Sequence, residues 1–301
     1  MCKPFIKWVG GKGQLIEQLE ALLPTDFNNW KDVTYIEPFV GGGAMLFYML
    51  KTYPNISRAV INDINPKLTM CYNIIKNNPY GLIESLRGIQ KEYYALGSED
   101  KQKEFFLEKR LAFNREQDDM AMSTLFIFLN RTCFNGLYRE NRKGEFNVPF
   151  GRYSRPNICD EKTILQDSEA LKRVEIMTGD YSRTYDMARG NTLFYFDPPY
   201  RPLSNTSSFN DYTKQPFNDE AQIRLKEFCD VVTEAGHSFM LSNSDGFSKN
   251  GTDKFFDDLY RNYYIERVWA RRNVNANGKK RGLLTEILVH NYNINELRNA
   301  I

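Results

Sequence analysis

The feature that most restricts how this chain can fold is a short apolar run, Val33 to Phe39, that enters three consecutive glycines, Gly41-Gly42-Gly43, and continues as an apolar stretch of helical character, Ala44 to Leu50. A run of that length reads as a buried strand, and the glycines mark where the backbone turns tightly. A second strand, Arg58 to Ile61, ends at Asn62-Asp63 and leads into a helix over Pro66 to Lys76. Strand, helix, strand, helix in that order builds a parallel sheet, because parallel neighbours need a crossover between them. Turns of this kind open at the carboxyl edge of the sheet, where open α/β folds bind ligands.

The glycine turn carries its own chemistry. It reads Glu37-Pro38-Phe39-Val40-Gly41-Gly42-Gly43, and Asp63 follows the last glycine by 63 − 43 = 20 residues. Glycine lets a ligand approach the backbone, and an acidic residue at the tip of the next strand can accept hydrogen bonds from ribose hydroxyls. The same features also occur as an ordinary strand-end turn with a solvating acid. Three adjacent glycines after Glu-Pro-Phe depart from the dinucleotide pattern GxGxxG, which favours a nucleoside cofactor without a pyrophosphate over NAD.

At 301 residues the length suits one α/β core carrying a smaller insert. From 77 to 167 the pattern changes to charged helical stretches, Leu82 to Tyr94, Gln102 to Asn114 and Asp119 to Leu129, followed by a Gly-, Asn- and Arg-rich segment. Strand signals resume at Val174 to Met177, Leu193 to Phe196, Ser238 to Leu241, Tyr264 to Trp269 and Glu286 to Asn291, with a helix over Asp219 to Glu234. The expected organisation is therefore a discontinuous catalytic domain, 1–76 and 168–301, interrupted by a recognition domain at 77–167. Two long polar loops, Arg201 to Asp219 and Asn243 to Asp253, follow strand ends.

Directly after the apolar strand Leu193 to Phe196 comes Asp197-Pro198-Pro199-Tyr200. Two prolines fix two φ angles and remove two donors, leaving a rigid turn that offers a carboxylate and carbonyl acceptors toward one point. Acceptors so arranged suit an amino group. An exocyclic amine on a nucleobase shares its lone pair with the ring and is a poor nucleophile. Hydrogen bonds from both of its N–H groups, to Asp197 and to a proline carbonyl, would turn that lone pair toward a methyl donor, while Tyr200 stacks on the base. A plain proline turn with a capping aspartate is the simpler alternative.

Charge and cysteine usage exclude other classes. Forty Lys and Arg against 38 Asp and Glu leave a formal charge of only +2, but basic residues gather at 131–155 and at 267–281, where local patches could hold phosphates. Five cysteines, Cys2, Cys71, Cys133, Cys159 and Cys229, stand singly, and His237 and His290 do not complete a zinc set with them, so no metal is expected. Dispersed thiols, no apolar run of bilayer length and no leader-like N-terminus point to a cytoplasmic protein.

On these motifs the chain resembles the DNA adenine methyltransferase (Dam) family, whose amino-methyltransferase motif is Asp-Pro-Pro-Tyr and whose motif order matches the α group. Pro4-Phe5-Ile6-Lys7-Trp8-Val9-Gly10-Gly11-Lys12 is similar to the segment these enzymes fold against the cofactor, and the likeness covers nearly the whole chain. It implies a Rossmann-like α/β methyltransferase core with an inserted, mainly helical DNA-recognition domain carrying a β-hairpin. It also implies S-adenosyl-L-methionine held by Trp8, Gly10, Lys12, Glu37, Pro38, Phe39, Gly41, Gly43, Asp63, Asp180, Tyr181 and Asp197, with Asp197, Pro198, Pro199 and Tyr200 catalytic.

The segments 130–139 and 144–153 resemble the recognition hairpin of members acting at GATC in double-stranded DNA. By that likeness Arg139 would read a guanine, Leu137 and Pro149 would make apolar contacts, and Arg131, Asn135 and Arg152 would complete the hairpin's contacts. Ser204 and Tyr212 would belong to the target-base loop. Asn-Arg-Lys-Gly at 141–144 is a plausible hairpin tip on residue chemistry alone. A paired, stacked adenine must be flipped out to be reached. Bacterial or phage origin and a cognate restriction endonuclease as partner are the corresponding expectations. Cytosine, RNA or a glutamine amide as acceptor is disfavoured because relatives acting on cytosine and glutamine resemble Ser-Pro-Pro-Tyr and Asn-Pro-Pro-Tyr. A non-catalytic DNA-binding regulator is disfavoured by the intact Asp197 and glycine turn.

Overall fold

The computed structural model describes residues 3–201, 217–245, 253–271 and 283–294. Seven strands form one sheet: β1 (Val33–Glu37), β2 (Ile56–Asp63), β3 (Val174–Thr178), β4 (Thr192–Phe196), β5 (Ser238–Ser244), β6 (Tyr264–Arg271) and β7 (Leu283–His290), in the order β3-β2-β1-β4-β5-β7-β6. The first five run parallel, and β7 lies antiparallel between β5 and β6. This is the Rossmann-like α/β arrangement that the opening strand-helix alternation dictates.

Both faces of the sheet are covered, and the strands show it residue by residue. Tyr35, Leu193 and Tyr195 enter one buried cluster while Ile36, Phe194 and Phe196 enter the other, so β1 and β4 are buried throughout. On the first face lie α1 (Ile16–Glu20), α2 (Ala44–Thr52), α3 (Pro66–Asn77) and α7 (Glu161–Leu171); α4 (Pro79–Ala95) and α6 (Asp119–Thr132) pack on α3 and α5 (Glu99–Phe113) on α6, and their buried Leu82, Phe106, Phe113 and Phe126 continue the cluster of Tyr35 and Phe47. On the second face, α8 (Asp219–Glu234) and α9 (Phe255–Leu259) contribute Leu225, Phe228 and Phe256.

Strand order reverses where β1 has β2 on one side and β4 on the other, which opens a crevice at the carboxyl ends of β1 and β4. The glycine turn follows β1 and the Asp-Pro-Pro-Tyr turn follows β4, so the two constellations 154 residues apart, 197 − 43, meet at this crevice.

Among the element boundaries that differ from the pattern reading, three lie beside the site. β1 stops at Glu37 because Pro38 has no N–H for the ladder, and the Val40 N–H bonds instead to the Asn62 carbonyl. β5 runs on to Ser244 through residues read as loop; its polar side chains are buried but paired, with Asn243 donating to Gln222 at 3.1 Å. β7 starts at Leu283, three residues early.

Between α6 and α7 the Asn-Arg-Lys-Gly segment forms a turn. The Gly144 N–H donates to the Asn141 carbonyl at 2.9 Å, Gly144 has φ +79°, and Glu140 pairs antiparallel with Phe146. Cys71, Cys133, Cys159 and Cys229 are free thiols. Among the described residues no helix is long and apolar enough to cross a membrane, and no group of His, Cys, Asp or Glu could hold a metal ion.

Candidate active site

A cavity of about 570 Å³ occupies the crevice, a volume in the range that suits a small organic ligand. Its lining joins the N-terminal segment to the turns after β1, β2, β3 and β4. Trp8, Gly10, Lys12, Glu37, Pro38, Phe39, Gly41, Gly43, Asp63, Asp180, Tyr181, Asp197, Pro198, Pro199 and Tyr200 all contribute. The structure thus brings the cofactor set and the catalytic set of the sequence reading to one place.

The glycines are explained first by protein. Gly41 and Gly43 have φ of +48° and +73°, and a Cβ would lie 2.7 Å from Trp8 Nε1 at Gly41 and 2.5 Å from the Tyr72 hydroxyl oxygen at Gly43. The N-terminal segment therefore lies on the turn as closely as glycine allows. Asn130 clamps it there: the Lys7 N–H donates to Asn130 Oδ1 at 2.9 Å, and Asn130 Nδ2 donates to the Lys7 carbonyl at 2.8 Å. Asp63 accepts from the Gly41 N–H at 3.1 Å and from the Asn65 N–H at 2.9 Å, and burial raises its pKa.

At the end of β4, Asp197 faces a buried ion cluster. Lys12 Nζ, on a side chain only 4 % exposed, lies 3.1 Å from Asp197 Oδ1 and 3.1 Å from Glu286 Oε2. The Tyr200 hydroxyl donates to Glu286 Oε2 at 2.6 Å and also contacts Lys12 Nζ, which sits 4.2 Å from the centroid of the Tyr200 ring. Ser242 donates to Asp197 Oδ1 at 3.1 Å. Burial, the largest influence, and the Glu286 charge push the Asp197 carboxyl up to about 6 against the opposing pull of Lys12. On the opposite wall, burial pushes Glu37 up to about 8, although a 2.6 Å hydrogen bond from the Tyr35 hydroxyl favours its ionised form.

The remaining wall is aromatic. Phe39 packs against Tyr181 and Phe217 at centroid distances of 5.0 and 5.8 Å. Beside it Asp180 accepts two 2.9 Å hydrogen bonds from Arg224. Burial alone would raise the Asp180 carboxyl, but the bonds from Arg224 and Ser182 outweigh it and hold the group at about 2. A wall of rings, with Asp63 and the buried Glu37 carboxyl lining the same cavity, fits a nucleoside linked to an amino acid.

Those residues read as DNA contacts that the structure describes lie apart from this cavity. Arg139 and Pro149 are exposed on the turn segment, Leu137 is half-buried, and Arg139 Nε donates to Asn147 Oδ1 at 2.7 Å. Asn135 and Arg152 are exposed, each at positive φ, with Arg152 3.6 Å from Glu99. Arg131 turns inward instead, donating to the Phe5 carbonyl at 2.6 Å, and with Lys7, Tyr153 and Arg155 it lines a second cavity of about 340 Å³. Ser204 and Tyr212 lie outside the described residues, as does the basic stretch 272–281.

Further residues belong to the site and were not singled out by sequence, among them Ser242, Glu286, Arg224 and Tyr138. The first two come from β5 and β7, whose approach depends on strand order rather than on any local motif. Tyr138 reaches the cavity from the turn segment and stacks on Trp8 at 5.8 Å with a 24° interplanar angle. Its position between Leu137 and Arg139 was the one available signal.

The sequence pattern of the D12 class N6 adenine-specific DNA methyltransferases matches residues 8–274. The chain is similar, at 45 % identity over 294 residues, to the Type II methyltransferase M.MjaIII of Methanocaldococcus jannaschii, covering 96 % of this chain and 99 % of that one. It is 37 % identical over 296 residues to the Type II methyltransferase M1.LlaDCHI of Lactococcus lactis subsp. cremoris, covering 96 % and 95 %. To the DNA adenine methylase of Escherichia coli K12 the identity is 32 % over 286 residues, covering 95 % and 94 %.

Proposed function

The chain belongs to the D12 class N6 adenine-specific DNA methyltransferases, and on that premise we propose that it transfers a methyl group from S-adenosyl-L-methionine to the exocyclic amine of a flipped-out adenine within GATC. The observation that carries this reading is that the Asp197-Pro198-Pro199-Tyr200 turn and the glycine turn line one cavity.

S-adenosyl-L-methionine, when bound, supplies an electrophilic methyl group on a sulfonium. Glu37 would meet a cationic group of that molecule, Asp63 its ribose, and the Phe39 and Tyr181 rings with Asp180 its base. The target amine places its two N–H groups on the Asp197 carboxylate and a proline carbonyl, which aims the nitrogen lone pair away from the ring. Tyr200 stacks on the flipped base. Asp197 would take the nitrogen's surplus proton once the amine carries the methyl group, so neither a covalent intermediate nor a metal is required.

Residues 77–167 serve as the DNA-reading part and 1–76 with 168–301 as the catalytic part. Arg139 reads guanine from the turn segment, supported by the likeness of 130–139 and 144–153 to GATC-reading hairpins. The Type II designation of two relatives supports a restriction endonuclease acting at the same sequence as a partner.

The test is transfer of labelled methyl to duplexes carrying GATC or a scrambled site, with digestion to nucleosides. N6-methyladenine in the GATC duplex alone is the expected result. The same product in another sequence would keep the chemistry and discard the recognition assignment, and no DNA product would discard both.

A further inference from the structure

We propose that Glu286 is a positioning residue for methyl transfer: it holds Lys12 and the Tyr200 hydroxyl beside Asp197 and, by sharing the single ammonium, keeps Asp197 only partly neutralised. The proposal rests on the assignment of Asp197 to the target amine.

Glu286 comes from β7, the strand that runs against its neighbours, opposite Ser244 on β5 and Val268 on β6. That register carries its carboxylate to the back of the cluster, where Oε2 accepts the Tyr200 hydroxyl at 2.6 Å and lies 3.1 Å from Lys12 Nζ. Lys12 is equally close, 3.1 Å, to Asp197. One buried cation thus serves two carboxylates, of which Asp197 lines the cavity.

A second carboxylate at a low-dielectric site costs free energy unless it does something, because like charges disfavour each other there. Lys12 already has Asp197 and Tyr200, so it does not need Glu286 to satisfy its charge. What Glu286 adds is division of the ammonium. An Asp197 paired with Lys12 alone would be a weaker acceptor for an amine N–H than one whose cation is shared. The carboxylate also fixes the Tyr200 hydroxyl, and with it the ring placed to stack on the base.

Every charged or titratable group that bears on Asp197 enters the balance. Lys12 approaches from the N-terminal turn, Glu286 from β7, Glu37 and Tyr35 from β1, and Tyr195 from β4, with Ser242 donating from β5. Of these, Lys12 lowers the Asp197 pKa and Glu286 raises it. Removing the Glu286 charge therefore moves the Asp197 titration to lower pH.

The test is Glu286→Gln, which keeps an oxygen acceptor for Tyr200 and Lys12 and removes only the charge. Expected are a fall in kcat of about tenfold near neutrality, KM values for donor and DNA within about twofold, and an acid limb of kcat displaced downward by about one pH unit. The Asp197 carboxyl, followed by carbon-13 NMR in the protein without cofactor and assigned through Asp197→Asn, moves the same way. Glu286→Asp, which restores the charge, returns the titration toward that of the unsubstituted protein. Loss of thermal stability with neither titration displaced would show a merely structural residue and overturn the proposal, as would an unchanged kcat. Absence of methyl transfer by the unsubstituted protein would instead sink the function itself, and the assignment of Asp197 with it.

Discussion

The crevice cavity and the turn segment at 137–149 handle charge in opposite ways. In the cavity, Asp197 and Glu37 are enclosed and pushed up to about 6 and about 8, and Lys12, the cation beside Asp197, is buried. On the turn segment Arg139 is exposed and rests on a neutral amide, Asn147. Groups of the first kind are preorganised: the cost of desolvating them was met on folding, and a substrate finds them already aimed. A guanidinium of the second kind can exchange Asn147 for a base edge with little rearrangement. On the proposed assignment, the chemistry is built rigid and the reading exchangeable.

The sharpest way to break that contrast is to remove the rigid acceptor. Asp197→Ala should fold, because Lys12 retains Glu286, yet lose on the order of 10²–10³-fold in kcat, the cost of deleting one preorganised polar group, while DNA affinity stays near that of the unsubstituted protein. Single-turnover methyl transfer with a parallel DNA-binding assay checks this. Unchanged transfer would remove Asp197 from the mechanism.

Arg139→Ala should act on selectivity instead, costing about 1–3 kcal/mol of discrimination if the guanidinium pairs bidentately with guanine. The measurement is kcat/KM on GATC and on duplexes with one base pair changed. Equal weakening on every sequence would make Arg139 a phosphate contact and erase the distinction between the two regions at this residue.

The enclosed acids also predict a pH dependence that the turn segment lacks. Below about pH 8 the Glu37 carboxyl of the free protein is protonated. A cationic group arriving beside it favours the ionised form, so cofactor binding at pH 7 expels a proton. Affinity should rise about tenfold per pH unit on the approach to pH 8 and level off above it. Calorimetry in two buffers of different ionisation enthalpy counts the proton, and Glu37→Gln should abolish the release. A pH-independent affinity in the unsubstituted protein would place Glu37 away from the bound cation.

The contrast also explains what was legible beforehand. The glycine turn and Asp197-Pro198-Pro199-Tyr200 could be read because each is local, a strand followed at once by residues with unusual backbone demands. That the two share one cavity followed from parallel strand order. Ser242 and Glu286 were not legible, because which strand flanks β5, and in which direction, depends on β7 folding back between β5 and β6. Ser244 and Asn243 were read as loop for a related reason: part of their hydrogen bonding goes to partners far along the chain, Gln222 and the Arg201 carbonyl. Arg131 shows the converse, a residue whose charge suggested a polyanion while its guanidinium holds the Phe5 carbonyl of the N-terminal segment.

One residue belongs to both regions, and it offers the finest test of their separation. Tyr138 follows Leu137 and precedes Arg139 on the turn segment, yet its ring lines the cavity and stacks on Trp8, the residue that covers the glycine turn. Its hydroxyl donates to Glu140, which also pairs with Lys67. A shift of the turn segment on DNA would therefore be felt at the cofactor wall through one aromatic pair, worth about 0.5–1.5 kcal/mol. Tyr138→Leu keeps an apolar side chain against Phe126 and Phe146 but loses the ring stacks on Trp8 and on Phe126, of which only the first reaches the cavity. The expected result is a drop of that size in the coupling between ligands: cofactor affinity measured with and without a GATC duplex should differ less in the variant. By reciprocity, DNA affinity with and without cofactor must change by the same factor. Coupling that survives Tyr138→Leu undiminished would mean that the two regions communicate by another route, with the Asn130 clamp on Lys7 the next place to cut.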